Sequence, residues 1–123
     1  MGTEFSEEVG FENDDKPWGR YKILDQGDGF QAKRIEIDPG ERPSLQAHEH
    51  RKEFWIIVEG VFKIQLGKSV ETYTPGDCIQ IEPMQKHRPK CISEDTGVFI
   101  EVQQGDYLKE DDIIRYDDDY GRE

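Results

Sequence analysis

Between residues 20 and 103 the chain alternates segments of four to eight residues rich in Ile, Val, Phe and Tyr with tight-turn residues, and no stretch sustains a helical period over three turns. The segments fall at 20 to 25, 30 to 38, 44 to 50, 54 to 59, 61 to 66, 70 to 73, 78 to 82, 87 to 92 and 97 to 103. Between them stand Gly27-Asp28-Gly29, Asp38-Pro39-Gly40, Glu59-Gly60, Leu66-Gly67-Lys68 and Pro75-Gly76-Asp77, which suit tight turns. Short strands at such spacing predict an all-β barrel or sandwich. A chain of 123 residues holds one hydrophobic core, so motifs distant in sequence are expected to converge on one site.

The ends differ from the middle. Residues 1 to 15 are polar, acidic and without period, which predicts a flexible N-terminal arm ahead of a domain from 16 to 123. The tail from Asp106 is expected to form a turn of helix before fraying, and Asp117-Asp118-Asp119-Tyr120-Gly121 lacks the spacing of a calcium loop and reads as solvated acid. A net charge of -12 opposes binding to nucleic acid or to anionic membrane surfaces. With no apolar run of membrane-spanning length and no signal-peptide pattern, a cytoplasmic protein is expected, with Cys78 and Cys91 as free thiols.

The chemistry concentrates in the histidines. In Ser44-Leu45-Gln46-Ala47-His48-Glu49-His50, strand alternation puts Ser44, Gln46, His48 and His50 on one polar face, which points either to solvent or into a wet cavity. Two His at i and i+2 on such a face suit a metal ion, and the chain has one further His, His87, and a nearby carboxylate, Glu53. A cation needs three or four converging donors, so His48, His50, Glu53 and His87 are the candidate ligands of one divalent ion. Zn, Mn, Fe, Co and Ni all suit that set.

These residues and their spacings resemble the signature of the cupins. Gly40, His48, His50, Glu53 and Gly60 match its first half, and Gly76 followed after five residues by Glu82-Pro83-Met84-Gln85-Lys86-His87 matches its second. Glu82 stands at the motif's Pro, Met84 at its Gly and Cys91 where Asn is common. The resemblance implies a double-stranded β-helix, or jelly-roll barrel. From Pro17 to Arg122 the chain further resembles the C-terminal cupin domain of type II phosphomannose isomerases. Pro17-Trp18-Gly19-Arg20-Tyr21, His50-Arg51, Glu101-Val102-Gln103, the run Tyr107 to Tyr116, and Tyr120-Gly121-Arg122 carry that likeness. Family members often read His-x-His-Arg-x-Glu-His-Trp, and here Phe54 replaces the last His.

That likeness implies metal-dependent interconversion of mannose 6-phosphate and fructose 6-phosphate. Nothing Gly-rich and basic enough to cradle GTP occurs, so guanylyl transfer is not expected. Phe99, Glu101 and Gln103 share a strand face, and Glu101 is the candidate base, provided that face is turned inward. Arg42, with Lys33 and Arg88 behind it, is the candidate partner for the phosphate of a small phosphorylated sugar. Gln46 is a candidate hydroxyl partner, and Trp55 either stacks on the sugar or belongs to the core. A cupin oxygenase and a non-catalytic sugar- or metal-binding cupin are the competing readings. A homodimer is expected, because a barrel of this size has sheet edges to cover.

Overall fold

The computed structural model describes residues 13–122, which hold eleven strands and no helix. They are β1 (Asn13–Lys16), β2 (Gly19–Gly27), β3 (Phe30–Ile37), β4 (Leu45–Ala47), β5 (Arg51–Glu59), β6 (Phe62–Leu66), β7 (Ser69–Tyr73), β8 (Cys78–Ile81), β9 (His87–Cys91), β10 (Gly97–Gly105) and β11 (Ile114–Asp117). A six-stranded sheet in the order β1-β2-β3-β10-β5-β8 faces a five-stranded sheet in the order β11-β4-β9-β6-β7, with all pairs antiparallel. The all-β expectation holds. No helix among the described residues is long and apolar enough to cross a membrane.

Strand β5 explains why the sheets close on each other. Its burial alternates strictly, so Arg51, Glu53, Trp55 and Ile57 face inward while Lys52, Phe54, Ile56 and Val58 face out. Inward Ile and aromatic side chains from both sheets, among them Ile37, Ile57, Phe62, Ile64, Ile81 and Phe99, form the core, each almost fully removed from water. Burial of each such side chain contributes roughly 1.5–3 kcal/mol. This apolar packing fills one end of the barrel, while the other end keeps polar residues inside.

Gly60 lets the chain turn tightly at the packed end. Its φ is 81°, and a Cβ there would lie 2.9 Å from Gly97 Cα, so no other residue fits. Met84 stands at a turn position that the cupin motif gives to glycine, and it adopts the left-handed backbone that position demands, with φ 67°. The turn survives, tied by Met84 N donating to His48 O at 2.7 Å. Left-handed backbone costs an L-residue roughly 1–2 kcal/mol, and glycine's greater unfolded-state entropy offsets about 0.5–1 of that. Met84 is half exposed and gives up little burial. Met84→Gly is therefore expected to raise the thermal midpoint by a few degrees, and a fall in the midpoint would refute this reading.

Two features differ from expectation. Asn13, Asp14 and Asp15 pair with β2 as part of β1, whereas the arm was expected to run to residue 15; its remainder lies outside the described residues. The tail makes no helical turn. It forms β11 against β4, and two of its aspartates meet barrel arginines, Asp117 with Arg88 and Asp119 with Arg42, while Asp118 pairs with Arg122 within the tail. The tail is thus bound to the barrel, not merely solvated acid. Cys78 is exposed and Cys91 buried, and both are free.

Candidate metal centre and its pocket

The pocket at the polar end is built by register. Across the six-stranded sheet Lys33, Glu101 and Trp55 stand side by side, and in the next inward row Gln31, Gln103 and Glu53 do the same. Gln31 Nε2 donates to Gln103 Oε1 at 3.1 Å, and Gln103 Nε2 donates to Glu101 Oε2 at 2.6 Å. Across the five-stranded sheet Arg115, Gln46 and His87 form the facing row. Ser44, His48, Arg51, Glu53, Trp55, His87 and Glu101 line the cavity between the sheets, together with Lys33, Gln46, Glu110, Arg115 and Arg122.

His48, Glu53 and His87 converge there, with one ligand atom from each inside a 4.8 Å span, all buried. Two backbone carbonyls set both imidazoles. His48 Nδ1 donates to Asp112 O at 2.6 Å and His87 Nδ1 to Gln85 O at 2.9 Å, because a carbonyl can only accept. Each Nε2 then carries a lone pair, and these face the Glu53 carboxylate at 3.3 Å and 3.9 Å. Three acceptors facing one another need a positive charge among them. Donors so oriented, with their second nitrogens fixed, fit a divalent ion.

In this structure Arg51 supplies that charge. Its Nε and Nη2 reach Glu53 Oε2 at 2.8 Å and 2.7 Å, and Nη2 donates to His48 Nε2 at 3.2 Å. Trp55 Nε1 donates to Glu53 Oε1 at 3.0 Å. Sequence reasoning passed over Arg51, although the alternation that aligned Glu53 with Trp55 extends one step back to it. The tail residues Glu110, Arg115 and Arg122 were also not assigned to a pocket, since only the β11–β4 pairing brings the tail there.

His50 does not join the other ligands. Strand β4 ends at Ala47, so the alternation that aligned His50 with His48 stops before either of them. The chain bends instead, with Glu49 N and His50 N donating to the Asp112 carboxylate at 2.9 Å and 3.0 Å. The His50 side chain is 48% exposed and lies edge-on to Tyr107. Arg42 and Arg88 also stay out of the pocket. Arg42 is held at the surface by Asp119, and Arg88 points to the far side of β9, on Pro43 O and Asp117. Lys33 does line the pocket, but its Nζ is taken by Glu110 at 2.5 Å. Gln46, Trp55 and Glu101 line it as well, and Trp55 stacks on Phe99 with ring centroids 4.4 Å apart. Phe54 lies on the opposite, outer face of β5 beside Ile56 and Val102, so this departure from the family pattern is outside the pocket.

Burial sets the charge states. It lowers the His48 pKa to about 4 and lowers that of His87 too, leaving both imidazoles neutral at pH 7. Burial, the largest single influence, would raise Glu53, but the charge and hydrogen bond of Arg51 together with the neighbouring His48 and His87 outweigh it and keep this carboxylate well below its usual range. Glu101 is pushed up to about 7, first by burial and then by the charge of Glu53, so it can both take up and release a proton near neutrality.

These shifts predict how stability of the metal-free chain varies with pH. For His48 and His87 the native pKa lies below the unfolded value of 6.5, so their contribution is present above pH 6.5 and lost as pH falls. Glu101 acts oppositely, since its raised pKa stabilises the fold below pH 4.5 and that contribution is lost as pH rises toward about 7. Between pH 4.5 and 6.5 two imidazoles outweigh one carboxyl. Urea midpoints measured in chelator should therefore rise across this interval, and more steeply in Glu101→Gln; a flat profile in both would contradict the assignment.

Comparison with known proteins agrees with this geometry. The family model described as mannose-6-phosphate isomerase C-terminal matches residues 6–118. Xanthan biosynthesis protein XanB of Xanthomonas campestris pv. campestris is 44% identical over 107 residues, covering 87% of this chain and 23% of that protein. The mannose-1-phosphate guanylyltransferase of Salmonella montevideo is 43% identical over 110 residues, covering 87% and 23%. The chain thus spans under a quarter of these relatives. Among solved structures, an RmlC-like cupin from Shewanella frigidimarina aligns with a TM-score of 0.73 at 24% identity, covering 84% of this chain and 89% of that one. KdgF from Halomonas sp. aligns at 0.74 and 20% identity, covering 85% and 94%. A cupin barrel carrying a buried His-Glu-His cluster, matched over most of its length by one family model, places this chain in the mannose-6-phosphate isomerase C-terminal family.

Proposed function

We propose that this chain is a metal-dependent aldose-ketose isomerase that interconverts mannose 6-phosphate and fructose 6-phosphate. The reading rests on one observation above the others. Glu101, a buried carboxyl with a pKa near 7, faces the same pocket as the His48, Glu53 and His87 donors. Aldose-ketose isomerisation needs a group that removes a proton from carbon 2 and returns it to carbon 1, together with a positive centre near the oxygens.

His48, Glu53 and His87 would hold the divalent ion, which when bound supplies polarisation of the sugar carbonyl. Glu101 takes the carbon-2 proton on one carboxylate oxygen while Gln103, itself fixed by Gln31, holds the other. Trp55 and Phe99 form an apolar wall that limits water near the reacting carbons. Gln46, in register with His87, offers an amide to a sugar hydroxyl. Deuterium exchange at carbon 2 of mannose 6-phosphate, on metal-analysed protein with His48→Ala as control, tests the proposal. Exchange that disappears in the control supports it, and absence of exchange in the metal-loaded parent sinks it.

A second reading is favoured by one detail of the ligand set. With His50 outside, the donors are two His and one carboxylate, a set that also suits redox-active non-haem iron. Oxygen consumption by the iron-loaded protein, without carbon-2 exchange, would select that oxygenase chemistry.

A further inference from the structure

We infer that Ser44, Arg51 and Arg115 form an oxyanion subsite in this pocket, and that it receives the phosphoryl group of the ligand. Among the described residues, the buried side-chain polar atoms without a hydrogen-bond partner are Ser44 Oγ, Arg51 Nη1 and Arg115 Nε. All three belong to residues lining the same cavity. Ser44 is 1% exposed and Arg51 is 7% exposed. A buried donor left unpaired costs on the order of 1–3 kcal/mol, more when charged, so a coincidence of three such atoms in one cavity points to a ligand that brings acceptors.

The chemistry of the three atoms selects the ligand class. Two are guanidinium N–H donors, and the third is a hydroxyl free to donate. A tetrahedral oxyanion has enough acceptor lone pairs to satisfy them together, and guanidinium groups pair with phosphate by charge-assisted bonds. The charge balance agrees. Arg51 is matched by Glu53, whereas no described carboxylate makes an ion pair with Arg115. The alternative cations are already engaged: Arg42 by Asp119, Arg88 by Asp117 and Lys33 by Glu110.

Placement also fits. Arg115 stands opposite Gln46 on β4, and Ser44 lies two residues before Gln46 along the same chain face. Arg51 reaches in from the opposite sheet, beside Glu53. The subsite therefore bridges the two sheets next to the metal donors, and β11 contributes to it directly. This inference deepens the isomerase proposal and rests on it for the identity of the ligand, though not for the presence of an anion site.

The test is calorimetric titration of the metal-loaded full chain with inorganic phosphate and with mannose 6-phosphate, on the parent, Ser44→Ala and Arg115→Gln. Arg115→Gln is expected to weaken both probes by about 10- to 100-fold, the range for one charged hydrogen bond. Ser44→Ala is expected to weaken them by a smaller factor while leaving the thermal midpoint unchanged or higher, because the hydroxyl has no partner within the protein. A merely structural role for Ser44 would lower the midpoint instead. Parent-like affinity for both probes in both variants would overturn the subsite. Failure here is distinguishable from failure of the isomerase reading. Phosphate binding that is lost in Arg115→Gln, with no carbon-2 exchange in the parent, keeps the subsite and removes the reaction. Carbon-2 exchange with an unchanged KM in Arg115→Gln does the reverse.

Discussion

Glu101→Gln is expected to reduce deuterium exchange at carbon 2 of mannose 6-phosphate by about 10²- to 10⁴-fold, the usual contribution of a positioned general base. The substitution is nearly isosteric. The amide can still accept from Gln103 Nε2, so the Gln31-Gln103 ladder should persist and the fold should be retained. Zinc or manganese binding should also persist, since Glu101 is not among the converging donors His48, Glu53 and His87. The parent's exchange rate should climb with pH through about 7, where Glu101 ionises, and that rise should vanish in the variant. Exchange at the parental rate in Glu101→Gln, with metal content verified, would exclude this residue as the base.

Glu53→Ala should be the most damaging single substitution for stability. Glu53 is 1% exposed, accepts from Arg51 Nε and Trp55 Nε1, and ion-pairs with Arg51 Nη2. Removing it leaves the Arg51 guanidinium buried without its counter-charge, a change that costs about 3–5 kcal/mol. That is a large share of the roughly 5–15 kcal/mol that holds a typical domain together. Urea denaturation in chelator isolates this effect from any contribution of a bound ion. A loss below about 1 kcal/mol would mean that Arg51 relaxes to solvent and is not the internal cation of the cluster. In the presence of zinc the variant should also fail to gain the metal-dependent rise in midpoint expected of the parent, because one of three donors is gone.

The two predictions separate what the pocket does from what holds it. Arg51 and Glu53 belong to both. The guanidinium neutralises the donor cluster, so a divalent ion entering the site would compete with Arg51 for Glu53 and His48. Metal affinity and fold stability would be coupled through that exchange, and Arg51 Nη1, already unpaired, is the part of the side chain left to meet an anion.

Local sequence order was enough for much of the barrel. Alternation and turn residues placed the nine central strands to within a few residues at each end, because the inward Ile, Phe and Trp positions repeat every second residue wherever the chain is extended. It was enough to put Glu53 with Trp55 and Glu101 with Phe99 and Gln103 on shared strand faces, while only the pairing of β10 with β3 and β5 turned the latter face inward. It failed at His50, because the same alternation was carried past Ala47, where extension stops and the chain bends to the Asp112 carboxylate. Nothing within residues 44 to 50 announces that bend, since its hydrogen-bond acceptor lies more than 60 positions away.

The sequence by itself determined the fold class and the family likeness, and it supplied four candidate donors of which the structure brings His48, Glu53 and His87 together, since these readings depend on residue type and short spacing. Tertiary structure alone decided that Arg42 and Arg88 are spent on the tail's aspartates. It also decided that β11 closes the pocket with Arg115. These outcomes depend on pairings between segments tens of residues apart, where charge compensation and sheet register, not local pattern, select the partner.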